Sequence, residues 1–292
     1  MQNNKTIKKK SLLVNAILFI LILLLMFGLF RQQQELTRQQ DQIDHLTSKI
    51  TDIELPSELF RRVVDTTQSS VVGISVYAEV PSTSSEKSFS NREMSDSVTD
   101  ILIGQASGVI VGKELVLTCW HVVLDMKSIM VTPLVADLIP DQNEVSPPLE
   151  AQVIAFDELK DLALLSVPGL QNEAIIMGSS EQLHAGDLAI CIANPASDKL
   201  PASVSIGVIS GINRTMQSSN VEGAYVNMFQ TDAAINGGSS GGGIFDIDGK
   251  LIGIVARKYI GSLGSDTQLE GIGMCIPINE ANELLTEYVE SP

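Results

Sequence analysis

The sequence predicts an all-β protein, and two observations carry that expectation. From residue 71 onward short apolar runs recur, each bounded by Gly, Pro, Asn or Asp: 71–80, 107–111, 115–119, 129–132, 151–155, 162–167, 188–193, 203–210, 225–230, 243–246, 250–256 and 272–276. Runs of this length and spacing are the rhythm of strands joined by turns, whereas helices repeat their apolar residues every three to four positions. The second observation is size, since 292 residues at 44% hydrophobic and 18% charged suit one large core or two small ones. Two six-stranded antiparallel β-barrels fit. A single closing helix is expected over residues 279–289, where Leu284 and Leu285 share a helical face.

The amino end is different. Lys5, Lys8, Lys9 and Lys10 precede a run from Leu12 to Phe30 interrupted only by Asn15. At about 1.5 Å per helical residue that run spans about 28 Å, close to the roughly 30 Å core of a bilayer. No small-x-small cleavage site stands between Met26 and Gln34, so the run reads as an uncleaved transmembrane anchor rather than a signal peptide. The lysines before it, against Arg31 alone near its far end, orient residues 1–10 toward the cytoplasm. The anchor is then 11–30, and everything beyond it is extracytoplasmic, periplasmic or at the cell surface.

Residues 31–55 form a polar, glutamine-rich spacer free of glycine. Leu36, Ile43 and Ile50 stand seven apart with Leu46 and Ile53 between them, broken by Gln39. That is the a/d pattern of a short coiled coil, which isoleucine at a positions would permit as a trimer, and it equally suits a solvated helical spacer. Pro56 is expected to end this helix and to begin a domain over 56–292. Residues 59–69 read as a short amphipathic helix and 71–80 as the first strand. Residues 81–100 are mostly Ser, Thr and charge, so a mobile loop is expected, with others at 212–224 and 257–270.

Composition excludes several functions. A net charge of −16, with no Lys/Arg cluster after residue 62, argues against nucleic acid as a partner. Cys119, Cys191 and Cys275 are too few for a disulfide framework and lie in or beside apolar runs, so they read as small buried hydrophobes. No histidine pair or second cysteine stands at ligand spacing, so neither a metal nor another cofactor is expected.

The chemistry gathers at Thr231-Asp232-Ala233-Ala234-Ile235-Asn236-Gly237-Gly238-Ser239-Ser240-Gly241-Gly242-Gly243-Ile244. A serine among glycines can present its hydroxyl on a tight turn, and the N–H groups of Gly238 and Ser240 can face an oxyanion. His121 follows the apolar run Leu115-Val116-Leu117, and Asp161 leads into Leu162-Ala163-Leu164-Leu165. A serine nucleophile, a histidine base and an aspartate that fixes its tautomer make an acyl-transfer set. Phosphate binding is the other use of a glycine-rich loop, but no Gly-Lys-Ser/Thr occurs and no helical pattern follows.

These residues resemble the active-site signature of the HtrA (Deg) family of chymotrypsin-like serine proteases. Ser107-Gly108-Val109-Ile110, His121-Val122-Val123, Asp161-Leu162-Ala163-Leu164-Leu165, Ile192-Ala193-Asn194-Pro195, Ser205-Ile206-Gly207-Val208-Ile209-Ser210, Asp248-Gly249-Lys250-Leu251-Ile252-Gly253-Ile254 and Gly271-Ile272-Gly273-Met274-Cys275-Ile276-Pro277 resemble further landmarks in the family's order, over roughly residues 58–288. The chain departs from the family at Gly237 and Gly243, and no PDZ module follows. The resemblance implies a homotrimeric serine endopeptidase acting on misfolded or regulatory proteins, with catalytic His121, Asp161 and Ser240. It further implies an oxyanion site of Gly238, Ser239 and Ser240 and an apolar substrate pocket at Ala234 and Ile235. His184 would lie in a surface turn and His45 in the spacer. A catalytically silent, trimeric binding scaffold of the same fold is the rival expectation.

Overall fold

The computed structural model describes residues 21, 23–44, 56–81, 98–134, 146–195, 200–258 and 270–288. The chain divides into two units, Met1–Pro56 and Ser57–Pro292. In the first, residues 23–44 form helix α1. Its apolar residues Leu24, Leu25, Met26, Phe27, Leu29 and Phe30 are all more than half exposed, as are Leu36 and Ile43. Among the described residues no helix is long and apolar enough to cross a membrane. The first half of the expected anchor lies outside the described residues, together with His45, Leu46, Ile50 and Ile53.

The second unit opens within α2, Pro56–Thr67, from Ser57 onward. Pro56 opens this helix, where its missing N–H would have had no partner anyway, and the stop expected for the preceding spacer helix lies outside the described residues. Val63 is fully buried, and a side chain added at Gly249 would lie 3.2 Å from Thr67, so the helix is seated under the turn at residues 246–250. A 3₁₀ turn, Gln68–Ser70, leads into the strands.

Two closed barrels follow. The first contains β1 (Val71–Pro81), β2 (Val98–Gly112), β3 (Leu115–Cys119), β4 (Ser128–Thr132), β5 (Leu149–Asp157) and β6 (Leu162–Ser166), ordered β1-β2-β3-β6-β5-β4. The second contains β7 (Leu188–Ala193), β8 (Ser203–Gln217), β9 (Tyr225–Thr231), β10 (Gly243–Phe245), β11 (Leu251–Lys258) and β12 (Gly273–Pro277), ordered β10-β11-β12-β9-β8-β7. A four-residue helix α3, Trp120–Val123, leaves β3. A short helix α4, Asn282–Leu285, closes the described chain. The architecture is chymotrypsin-like.

Every apolar run named above is a strand, because each can bury one face. Ile74, Ile110, Leu117, Leu162, Leu164 and Leu165 are fully buried in the first barrel, and Ile209 and Ile244 in the second, with Phe229 2% exposed. Each such side chain contributes roughly 1.5–3 kcal/mol on leaving water. A second buried set, including Ile190, Ile192, Phe245 and Ile254, joins the first barrel's apolar residues in one cluster that spans both barrels. The site described below lies along that junction.

Two expectations change. The first part of the loop at 212–224 is strand: β8 continues through Gln217, pairing Arg214, Thr215, Met216 and Gln217 with β9 after bulges around Gly211. Asn213, Arg214, Thr215 and Gln217 are exposed, and the paired Met216 and Val226 pack against the core, so backbone pairing with one apolar pair holds this ribbon, and no apolar alternation marks it. Likewise Pro81 and Val98–Asp100 belong to the β1–β2 ladder, with residues 82–97 of the expected loop outside the described residues.

Candidate active site

The first barrel supplies the base and its partner. Buried β3 ends at Cys119, and in α3 the apolar Val122 and Val123 turn inward, which leaves the His121 side chain 36% exposed. In the β5–β6 turn the Lys160 N–H donates to Asp157 Oδ1 at 2.9 Å, a side-chain turn of the kind aspartate favours. The next residue, Asp161, is left-handed at φ 60, a region aspartate tolerates better than most residues. That twist buries its carboxylate beneath α3. Asp161 Oδ1 accepts the His121 N–H at 2.8 Å, and Oδ2 accepts from His121 Nδ1 at 2.7 Å. A carboxylate only accepts, so Nδ1 carries a proton, and in the neutral imidazole Nε2 keeps its lone pair.

The second barrel supplies the serine loop between β9 and β10. Its start is moored on β8: Thr231 Oγ1 donates to the Val208 carbonyl at 2.8 Å, and Asp232 Oδ1 accepts the Val208 N–H at 2.7 Å. Asn236 to Ser239 form a turn closed by the Ser239 N–H on the Asn236 carbonyl at 3.0 Å. With φ 88 at Gly238, this is type II geometry, whose third position favours glycine. Gly241 has φ 85, and a Cβ there would lie 2.0 Å from the Ser107 carbonyl oxygen, so only glycine lets the loop approach β2.

Ser107 grips this loop from the first barrel. Its N–H donates to the Ser240 carbonyl at 2.9 Å. Its hydroxyl donates to the Gly238 carbonyl at 2.7 Å and accepts the Asn194 N–H at 2.8 Å. With both carbonyls drawn toward Ser107, the N–H groups of Gly238 and Ser240 donate to no group among the described residues. The Ser239 N–H, by contrast, is consumed by its turn. Of the three residues expected at an oxyanion site, two leave an N–H available.

The Ser240 hydroxyl donates to the Ala256 carbonyl at 3.0 Å, and no hydrogen bond joins it to His121. Their sequence neighbours nonetheless converge on β11. The Val255 carbonyl accepts from Cys119, two residues before His121, and from the Gly241 N–H. Rotation about one side-chain bond would release the hydroxyl from Ala256, and such bonds often tighten only with substrate bound.

Ala234 and Ile235 part company. Ala234 is exposed and lines a cleft of about 430 Å³ with Cys191, Ala193, Val204, Gly237 and Ser239. Among the described residues no acidic or basic side chain lines that cleft. Ile235 does not reach it; buried at 6%, it packs over Gly273, where an added Cβ would meet its Cδ1 at 2.3 Å. His184 sits in an exposed turn, its N–H bonded to Asp187 Oδ2 at 2.7 Å.

Cys119, His121 and Asp161 bring possible metal-donor atoms within 4.8 Å of one another, but these donors are engaged. Burial, and then the nearby Asp161 charge, push the Cys119 thiol well above its ordinary pKa, and it donates to Val255. Two contributors were not foreseen from the sequence. Ser107 stands in a motif whose resemblance is visible but whose contact is not, and Asn220, which donates to Asp161 Oδ1 at 2.9 Å, carries no sequence signal.

Two six-stranded barrels meeting at an Asp–His pair and a glycine-bound serine define the class of the chymotrypsin-like serine peptidases. Comparison with known proteins agrees: residues 106–254 match the trypsin-like peptidase domain family. The chain is 35% identical over 219 residues to the serine protease Do-like HtrA of Bacillus subtilis, covering 71% of this chain and 45% of that protein. It is 33% identical over 204 residues to the serine endoprotease DegS of Haemophilus influenzae, covering 70% and 55%. Among solved structures, an HtrA-type protease AlgW with decapeptide superposes with a TM-score of 0.60 at 26% identity, covering 78% of this chain and 66% of that one. The protein therefore belongs to the HtrA (Deg) family of trypsin-like peptidases. It spans about half the length of the curated relatives it matches.

Proposed function

We propose that this protein is a membrane-anchored serine endopeptidase that cleaves misfolded or regulatory extracytoplasmic proteins. The observation that carries this reading is the 2.7 Å contact between Asp161 and His121 Nδ1, which leaves Nε2 as the ring nitrogen free to act on the serine. In the proposed mechanism His121 Nε2 takes the Ser240 proton as the hydroxyl attacks a peptide carbonyl. The N–H groups of Gly238 and Ser240 stabilise the resulting oxyanion. His121⁺, held by Asp161, then protonates the leaving amine, and water repeats the cycle on the acyl-enzyme. The cleft at Ala234, lined by no charged side chain among the described residues, favours an apolar residue on the acyl side, such as Val, Ala or Ile. The Leu12–Phe30 run supports the anchor, and the exposed Leu36 and Ile43 support a trimeric spacer.

The silent-scaffold reading keeps one specific observation in its favour, the Ser240 hydroxyl held by Ala256 rather than His121. Labelling with a fluorophosphonate separates the two. We expect the wild type to label and to degrade unfolded casein, Ser240→Ala to do neither while keeping its melting temperature, and Ser239→Ala to retain most activity. Cleavage sites should follow small or branched apolar residues. An unlabelled wild type supports the scaffold, and a profile dominated by Lys and Arg overturns the pocket assignment.

A further inference from the structure

Asp161 has a third donor, and it comes from the other barrel. Besides the two bonds from His121, its Oδ1 accepts from Asn220 Nδ2 at 2.9 Å, across 59 residues of sequence. The same Nδ2 donates to the Glu158 carbonyl at 3.2 Å. Both partners can only accept, so the orientation of the Asn220 amide is settled chemically. We propose that Asn220 is a positioning residue for the His121–Asp161 pair, and that the β8–β9 turn carrying it ties that pair to the strand holding Ser240. The proposal rests on the serine-peptidase reading above.

The Asp161 side chain is 7% exposed, so water supplies little of its solvation and each donor weighs heavily. Hydrogen bonds to an ionised carboxylate are roughly twice as strong as neutral ones. With Asn220 and the His121 N–H both on Oδ1, the carboxylate plane is fixed and Oδ2 is aimed at Nδ1. Without Asn220, the carboxylate can swing about its terminal torsion, which is soft in aspartate, and carry Oδ2 off the imidazole.

The turn itself is clamped on both sides. The Ser218 hydroxyl donates to the Leu159 carbonyl at 3.3 Å and accepts the N–H groups of Asn220 and Val221 at 3.3 and 3.2 Å. From β11, Arg257 Nη2 donates to the Gln217 carbonyl at 2.9 Å, and Nη1 bonds Ser219 Oγ. Arg257 directly follows Ala256, the acceptor of the Ser240 hydroxyl. One dipeptide of β11 therefore contacts the nucleophile with its first residue and steadies the Asp161 donor with its second. The other ionisable groups around Asp161 are Asp157, Glu158 and Lys160 on its own turn and the Cys119 thiol on β3. Lys160 is drawn away from it toward Glu280 and Glu283.

The test uses the full-length protein in detergent micelles, an apolar peptide ester with a chromogenic leaving group, and fluorophosphonate labelling as the control. For Asn220→Ala we expect kcat to fall about 10- to 100-fold, the effect of one lost charge-assisted bond, with KM within about twofold and melting little changed. Asn220→Asp sets a second carboxylate beside Asp161, so the acidic limb of the kcat/KM profile should move to higher pH as the imidazolium is stabilised. Arg257→Met should lower kcat in the same direction but less. A purely structural clamp would lower melting and leave the acidic limb in place, which would overturn the proposal, as would an Asn220→Ala variant with wild-type kcat. If the wild type itself fails to label, the serine-peptidase reading falls and this proposal with it.

Discussion

At the scale of single residues, the serine loop is set by which positions tolerate a side chain. Gly241 tolerates none, because the Ser107 carbonyl oxygen would lie 2.0 Å from an added Cβ. Gly237 is the opposite case: an added Cβ would meet nothing within 4 Å, and its φ lies outside the left-handed region. It occupies the second position of the type II turn, where proline is favoured, and its N–H donates to no group among the described residues. A glycine there leaves the unfolded loop more conformations to lose than proline would. We therefore expect Gly237→Pro to stabilise the turn and raise the basal rate on a peptide substrate, while the wild type responds sigmoidally to substrate concentration. Hyperbolic wild-type kinetics together with no gain in the variant would count against a loop that is switched on by substrate.

At the scale of elements, strand burial controls the cysteines. Cys119 on β3, Cys191 on β7 and Cys275 on β12 are buried and free. Burial pushes the Cys191 thiol up to about 12, with a hydrogen bond from Ser205 working against the shift, and it raises Cys275 well above its ordinary value. The ordinary value is 9.0, so between pH 9 and 12 the unfolded chain releases protons that the folded chain keeps. Stability contributed by the neutral buried thiol is then full below pH 9 and is lost as pH rises toward 12. By pH 10.5 the loss is about 2 kcal/mol for Cys191. Urea unfolding at pH 8 and pH 10.5 should show the midpoint falling, and Cys191→Ala should flatten that fall. Equal pH dependence in the two proteins would rule out the thiol as its source.

At the scale of the whole molecule, the junction of the barrels is the feature on which the chemistry depends. Lys160 bonds Glu283 at 3.2 Å and approaches Glu280 at 3.5 Å, joining the Asp161 turn to the closing helix. Burial alone would lower its pKa, yet the Glu283 hydrogen bond and the neighbouring carboxylates leave it raised and the side chain charged. The anchor is tested on the same scale. Full-length protein should resist extraction from membranes by alkaline carbonate, and protein lacking residues 1–30 should be released. Release of both would refute the anchor; sedimentation of the shortened form with and without residues 31–55 reports whether the spacer trimerises it.

What the sequence determined by itself is local in origin. All twelve strands were legible because a half-buried strand must alternate or cluster its apolar residues within a few positions. The serine loop was legible because its turn and its close approach to β2 require glycine at particular places. The tertiary structure decided what depends on two distant segments meeting. Examples are the Ser107 hydroxyl on the Gly238 carbonyl, the diversion of the Ser239 N–H into a turn, and the separation of Ala234 from Ile235. It also decided the continuation of β8 into a polar ribbon and the reach of Asn220 to Asp161. A hydrogen bond between barrels is fixed by strand register and barrel closure, and neither leaves a periodic mark on the residues that make it.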